Sequence, residues 1–403
     1  MIVPLALFGA LAFPAEFESK LLDTVKPELK LRGAPAFAPT GDRVAYMADT
    51  MGGSVVVCDG EVGPKEHFAG PVVFSADGER FAYRLGKRKS TTAERWSIVV
   101  DGKPGKTYDW VGPPAFSADG KVVTYWAGDG VRVSRAGPYE GGEYFVVRGK
   151  KKGKAFKNGD TLRAPSISAD GKVAAGVAIS GLEWLITFGK KESKGYPQVG
   201  LPVVAADGKR TVFPARLGNE WGVVDDRGKI LERHDYVGEV VLGAGGRRAT
   251  VAKNKKRWSV HLNGKKRGGP WDYAGQVALS PDGKHVACVT NEGGELHGSW
   301  PPGMEPSIDA IGIDGQPFFR GGKWAIAVDG KRGEEFDRVR DPVFSPDGKT
   351  VAFVAKVAEG WIVVAGEARS DPFEVVSAPV FAEAGTVGFG VKDGDELWWK
   401  TLP

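Results

Sequence analysis

Six basic residues form two compact runs. Lys87, Arg88 and Lys89 stand side by side, as do Lys255, Lys256 and Arg257. Such runs attract negative charge, whether from an acidic protein or peptide or from another polyanion. A third group is apolar: Trp300, Phe318 and Phe319, with Pro301, Pro302 and Met304, lie in a stretch spanning 291–322. Aromatic side chains in a long loop suit anchorage on a partner. The six basic residues together with Trp300, Phe318 and Phe319 are the candidate binding set.

Catalytic chemistry has less to stand on. The five histidines are His67, His234, His261, His285 and His297, and no two have metal-ligand spacing. There is no nucleophile elbow and no phosphate-binding glycine loop. The aspartates of recurring Asp-Gly pairs lack the clustered oxygen ligands that calcium needs. Cys58 and Cys288 are too far apart for a CxxC and read as buried free thiols. No catalytic or metal-binding residue is assigned, and no cofactor is implied.

The elements that position the candidates come from an internal repeat. Phe74-Ser-Ala-Asp-Gly78 returns as Phe116-Ser-Ala-Asp-Gly120, Ile167-Ser-Ala-Asp-Gly171, Leu279-Ser-Pro-Asp-Gly283 and Phe344-Ser-Pro-Asp-Gly348. Weaker copies end at Gly41, Gly208, Gly246 and Gly385, which makes nine. A second glycine closes an apolar run in seven of the units, at Gly60, Gly102, Gly149, Gly189, Gly264, Gly330 and Gly366, and Gly228 fits with one extra residue. Each unit therefore reads as four short strands, a to d. In the second unit these are 71–75, 80–84, 96–100 and 107–111, and a Gly-Pro bend leads onward. Both Asp-Gly pairs suit two-residue hairpins with positive φ at the two central residues. Six tryptophans open strand c: Trp96, Trp184, Trp221, Trp258, Trp324 and Trp361. Their rotational recurrence marks them as packing anchors rather than a ligand cage.

Sheets apolar on both faces must stack, and a ring leaves no end blade bare. The expected fold is an all-β, closed β-propeller of nine four-stranded blades, with eight as the fallback if the degenerate sixth unit is irregular. The last unit lacks strand d. Residues 28–32, Glu28-Leu-Lys-Leu-Arg32, alternate like a strand and are expected to pair outside 397–402 and close the ring. Residues 16–403 then form one propeller domain, with an inserted loop at 291–322.

The Phe-Ser-Pro-Asp-Gly-Lys-x-Val-Ala core resembles the WD40-like, TolB-type (PD40-like) propeller repeats of bacteria, from Leu29 to Leu402. That resemblance implies a fold and says little of function. The regular Gly-His and Trp-Asp pairs of true WD40 repeats are missing; Trp271-Asp272 is an isolated match.

With 42% hydrophobic and 26% charged residues and a formal charge of +5, the composition is that of an ordinary globular protein. Both signs are mixed along the chain, unlike the one-sided excess of a nucleic-acid binder. Residues 2–13 are apolar and include Ala10-Leu-Ala12, which has the pattern of a small-residue cleavage site, but no Lys or Arg precedes them. Residues 1–15 are a possible signal peptide or disordered N-terminus. The chain is exported to the periplasm if that run is a signal, and cytoplasmic otherwise. No segment is long enough to be transmembrane. The expected function is a non-catalytic scaffold that binds a protein, peptide or polyanion through loops on one face. The alternative is a carbohydrate or small-molecule site, hydrolytic or not, at the mouth of the central channel.

Overall fold

The computed structural model describes residues 19–88, 94–134, 137–159, 164–296, 319–382 and 385–402. Nine antiparallel blades follow one another along the chain, each ordered a-b-c-d. The innermost strands of successive blades touch from blade 1 to blade 9, so they surround a common axis. Among the described residues, no helix is long and apolar enough to cross a membrane.

The turns explain why the repeat folds this way. Between strands a and b, Ser75 Oγ donates to Asp77 Oδ1, the Glu79 amide donates to the same oxygen, and the Arg80 amide donates to Ser75 Oγ. The same clasp forms at Ser117/Asp119, Ser168/Asp170, Ser280/Asp282 and Ser345/Asp347. These aspartates are thus committed to turn chemistry. Only the glycine of this turn has positive φ, so the a–b connection is a longer loop than the two-residue hairpin expected of it. The c–d turns do match that hairpin: Asp59-Gly60, Asp101-Gly102, Asn263-Gly264 and Asp329-Gly330 have positive φ at both positions. Arg43 and Arg80 also reach from one blade to carbonyls of the next, at Gly78 and Gly120.

Strand boundaries differ from expectation at one recurring place. In blade 2, strand d is Lys103–Pro104, and Tyr108 bridges Trp96. Trp110–Val111 belongs instead to strand a of blade 3, where it pairs with Val123–Asp129. The Gly112-Pro113-Pro114 bend lies within strand a rather than between blades, because proline interrupts the ladder without ending the strand.

The same error displaces the closure. Within residues 28–32, Lys30–Leu31 is the first half of strand a of blade 1, pairing Lys30 with Asp49 and Leu31 with Ala48. The strand that completes blade 9 lies earlier: Ser19–Thr24 pairs antiparallel with Glu396–Leu402. Closure by an N-terminal strand therefore holds, but with a different strand. The seam between blades 9 and 1 is tightly packed. A Cβ on Gly390 would meet Phe37 at 2.0 Å, and Leu397 is buried with Val44 and Tyr46.

Apolar clusters fill the seams between successive blades. Of the strand-c tryptophans, Trp96, Trp221, Trp258 and Trp324 are buried, and Trp184 and Trp361 are half-buried. Gly86 on the adjacent strand makes room for the Trp96 ring, 2.8 Å from where a Cβ would stand.

Candidate functional site

The b–c connections share one face of the ring with the connections between blades. On blades 1 and 4 they are tight turns carrying Met51 and Leu182. On blades 2, 3 and 7 they grow into ribbons. Blade 2 extends strand b to Phe81–Arg88, paired as far as Arg88 with Glu94. Blade 3 adds a separate hairpin, Arg132–Ser134 with Gly137–Glu140. Blade 7 pairs Val286–Leu296 with Phe319–Val328. The insertion expected at 291–322 is thus partly ladder, since residues 291–296 and 319–322 belong to strands.

Lys87 and Arg88 are exposed at the end of the blade 2 ribbon, and Lys87 Nζ lies 2.5 Å from Glu66 of blade 1. Lys89 falls outside the described residues. Lys255 and Lys256 are exposed in the tight b–c turn of blade 6, both with positive φ. Arg257 is already engaged, against Asp272 and Glu292. Trp300 and Phe318 lie outside the described residues, and Phe319 opens strand c of blade 7. Blade 2 stands across the ring from blades 6 and 7, so the structure does not merge the two basic runs into one patch.

Arg257 belongs to a repeated device. Asp272, just after strand d of blade 6, accepts the Gly293 amide of blade 7 at 2.8 Å while facing Arg257. Asp109 does the same in blades 2 and 3, accepting from Gly130 at 2.6 Å and facing Arg95. Asp235 accepts the Lys255 amide at 2.8 Å. These carboxylates fix the b–c loops to the preceding blade.

The most exposed large apolar side chains among the described residues are Met51 at 95% and Leu182 at 96%. Both sit on this face, on either side of the blade 2 and blade 3 ribbons. Sequence reasoning passed over them because each is a lone apolar residue in a polar turn.

The innermost strands carry polar residues in blades 6 to 8, and these are tied to one another. Glu239 Oε2 accepts the Val277 amide at 3.1 Å, Gln276 Oε1 accepts the Asp341 amide at 2.8 Å, and Arg340 faces Asp341. On the opposite face, a cavity of about 490 Å³ lies between the turns of blades 8 and 9. Its Ser345 and Asp347 are held in their turn clasp.

A second grouping lies in the seam between blades 5 and 6. Glu232 and His234 are on strand d of blade 5, Ile230–His234. Arg248 and Thr250 are on strand b of blade 6, and Ser259 and His261 on strand c. Each pair is two residues apart and so shares a sheet face. Glu232 Oε1 takes Arg248 Nε at 2.8 Å and Thr250 Oγ1 at 2.5 Å; Oε2 lies 3.2 Å from His234 Nε2. His234 Nδ1 lies 3.1 Å from Asn254 Nδ2. The His234 and His261 ring centres are 4.6 Å apart, and His261 Nε2 meets Ser259 Oγ at 2.9 Å. Burial raises the Glu232 pKa, but hydrogen bonds from His234 and Thr250 and the Arg248 charge outweigh it and bring it to about 2. Burial lowers that of His261, which favours the neutral ring. Linear spacing hid this group, because 27 residues separate the two histidines and only blade stacking joins them.

No family model matches the chain, and no curated protein matches it. Among solved structures, a eukaryotic initiation factor is 13% identical and aligns over 87% of this chain and 90% of its own, with a TM-score of 0.49. The β-propeller domain of the Trilobed protease from Pyrococcus furiosus is 13% identical over 72% and 94%, with a TM-score of 0.38. The β-propeller domain of Cps50 (Swd1) from Myceliophteria thermophila is 10% identical over 84% and 98%, with a TM-score of 0.37. Overlaps this loose say nothing of what the ring binds.

Proposed function

We propose that the protein is a non-catalytic propeller scaffold, with repeats of the TolB type, that holds a protein or peptide partner on its b–c face. The observation that carries this reading is the placement of Met51 and Leu182. These two side chains, left 95% and 96% exposed on one face, give a partner two separate points of apolar anchorage. The ribbons of blades 2 and 3 rise between them, and Arg88 beside them favours an acidic partner. Lys255 and Lys256 offer a separate contact across the ring, where a polyanion would also be attracted. The alternative site at the channel mouth draws less support. Glu239 and Asp341, the carboxylates on the innermost strands of blades 6 and 8, are already spent on a backbone amide and on Arg340.

Photo-crosslinking residues placed at Met51 and Leu182 test the docking face in the native host. A third, placed at Lys190 in a c–d turn on the other face, serves as control. The expected result is one common partner from the first two positions and none from the third. Crosslinking that does not depend on the face, or the absence of any shared partner, would retire the proposal.

A further inference from the structure

The polar cluster between blades 5 and 6 takes no part in the docking face, and its chemistry is of another kind. We propose that Glu232, His234 and His261 bind one divalent transition-metal ion, Zn²⁺ fitting best, which ties blade 5 to blade 6.

One candidate ligand atom from each residue lies within 4.8 Å of the other two. Bonds of about 2.0–2.2 Å to nitrogen and oxygen place tetrahedral ligands roughly 3.3–3.5 Å apart, so small side-chain rotations close the set. Two imidazoles and a carboxylate suit zinc and its neighbours in the first transition row. They do not suit calcium or magnesium, which take oxygen ligands.

The surroundings are also those of a metal site. Arg248 and Thr250 hold Glu232 Oε1 and leave Oε2 turned toward His234. Ser259 and Asn254 contact the two rings, as outer-shell groups do around metal-bound histidines. His261 is only 8% exposed, yet its Nδ1 makes no well-formed hydrogen bond, the Gly264 backbone being its nearest polar neighbour. A nitrogen left so in a protein interior is uncommon. A metal at His234 Nε2 moves that ring's proton to Nδ1, and the Asn254 amide, turned over, accepts it. With three protein ligands a water completes the tetrahedron, and the burial of all three side chains suits a tie between blades.

The test uses the full chain without a histidine tag, stripped with chelator and titrated with Co²⁺ or Zn²⁺ alone. The expected result is one equivalent of Co²⁺ with the visible absorption of tetrahedral coordination, displaced by Zn²⁺. The Tm should rise with Zn²⁺ concentration, as binding to the folded state requires. His261→Gln gives up one neutral contact, Nε2 to Ser259 Oγ, so its metal-free Tm should stay within a few degrees of the wild type. It should lose the Co²⁺ band and weaken binding by at least about 10-fold. His285→Gln, altering a half-exposed ring 2.6 Å from Asp329, should change neither. No saturable equivalent in the wild type, or a band that survives His261→Gln, would overturn the site. Should His261→Gln fail to fold, the wild-type titration still decides.

Discussion

Replacing Glu232 with glutamine removes the carboxylate that Arg248 faces, at 2.8 Å inside the seam between blades 5 and 6. The Glu232 side chain is 6% exposed and that of Arg248 11%, so water cannot take over the role. Breaking a buried pair from one side costs about 3–5 kcal/mol. A second route gives a similar figure. The carboxyl sits at about 2 rather than the ordinary 4.5, and at about 1.4 kcal/mol for each tenfold step that difference is worth roughly 3 kcal/mol. Because the folded value is depressed, this stability is present above about pH 4.5 and is lost as pH falls toward 2. The assay is urea unfolding followed by tryptophan fluorescence, with chelator present. Glu232→Gln should lose about 3 kcal/mol at neutral pH and show a flatter acid limb than the wild type. Adding Arg248→Met should recover much of the loss, since the stranded charge is gone. A loss below about 1 kcal/mol, or one that Arg248→Met leaves unchanged, would refute the reasoning.

Two further substitutions bear on the packing and on the docking face. Trp324→Ala empties a side chain that is 2% exposed and buried with Val339 and Ile362 of blade 8, and should cost about 3–5 kcal/mol by the same assay. Met51→Asp combined with Leu182→Asp should change stability by less than about 0.5 kcal/mol, because both side chains are in solvent, while abolishing recovery of the crosslinked partner.

Much of the fold can be read from the sequence because turn chemistry recurs. Ser75, Asp77 and Gly78 each have a fixed task in the a–b loop; the trio recurs in five units and its final glycine marks all nine. Strand limits are harder to read where proline sits inside a strand. Pro113 and Pro114 in blade 3, and Pro35 in blade 1, look like terminators but only interrupt strand a, so Trp110–Val111 and Lys30–Leu31 are read onto the wrong blade. The true closing strand, Ser19-Lys-Leu-Leu-Asp-Thr24, has weak intrinsic strand preference and is held by its pairing with Glu396–Leu402. The runs at Lys87 and Lys255 are plain in the sequence, but not their separation across the ring. For the seam cluster the sequence offers only faint signs, such as Glu232 and His234 two residues apart on a blade face that elsewhere carries apolar side chains.

The face assignments and the seam between blades 5 and 6 all presuppose a ring closed by Ser19–Thr24. Paired cysteines with mild oxidation and peptide mapping test that closure most directly. The native Cys58 and Cys288 should not interfere, since burial raises both thiol pKa values, that of Cys58 to about 12. Ser19→Cys with Lys400→Cys should link, as should Lys30→Cys with Asp49→Cys, because each pair is directly opposed across a ladder. A link between Lys30→Cys and Lys400→Cys, with none from Ser19→Cys, would contradict the account.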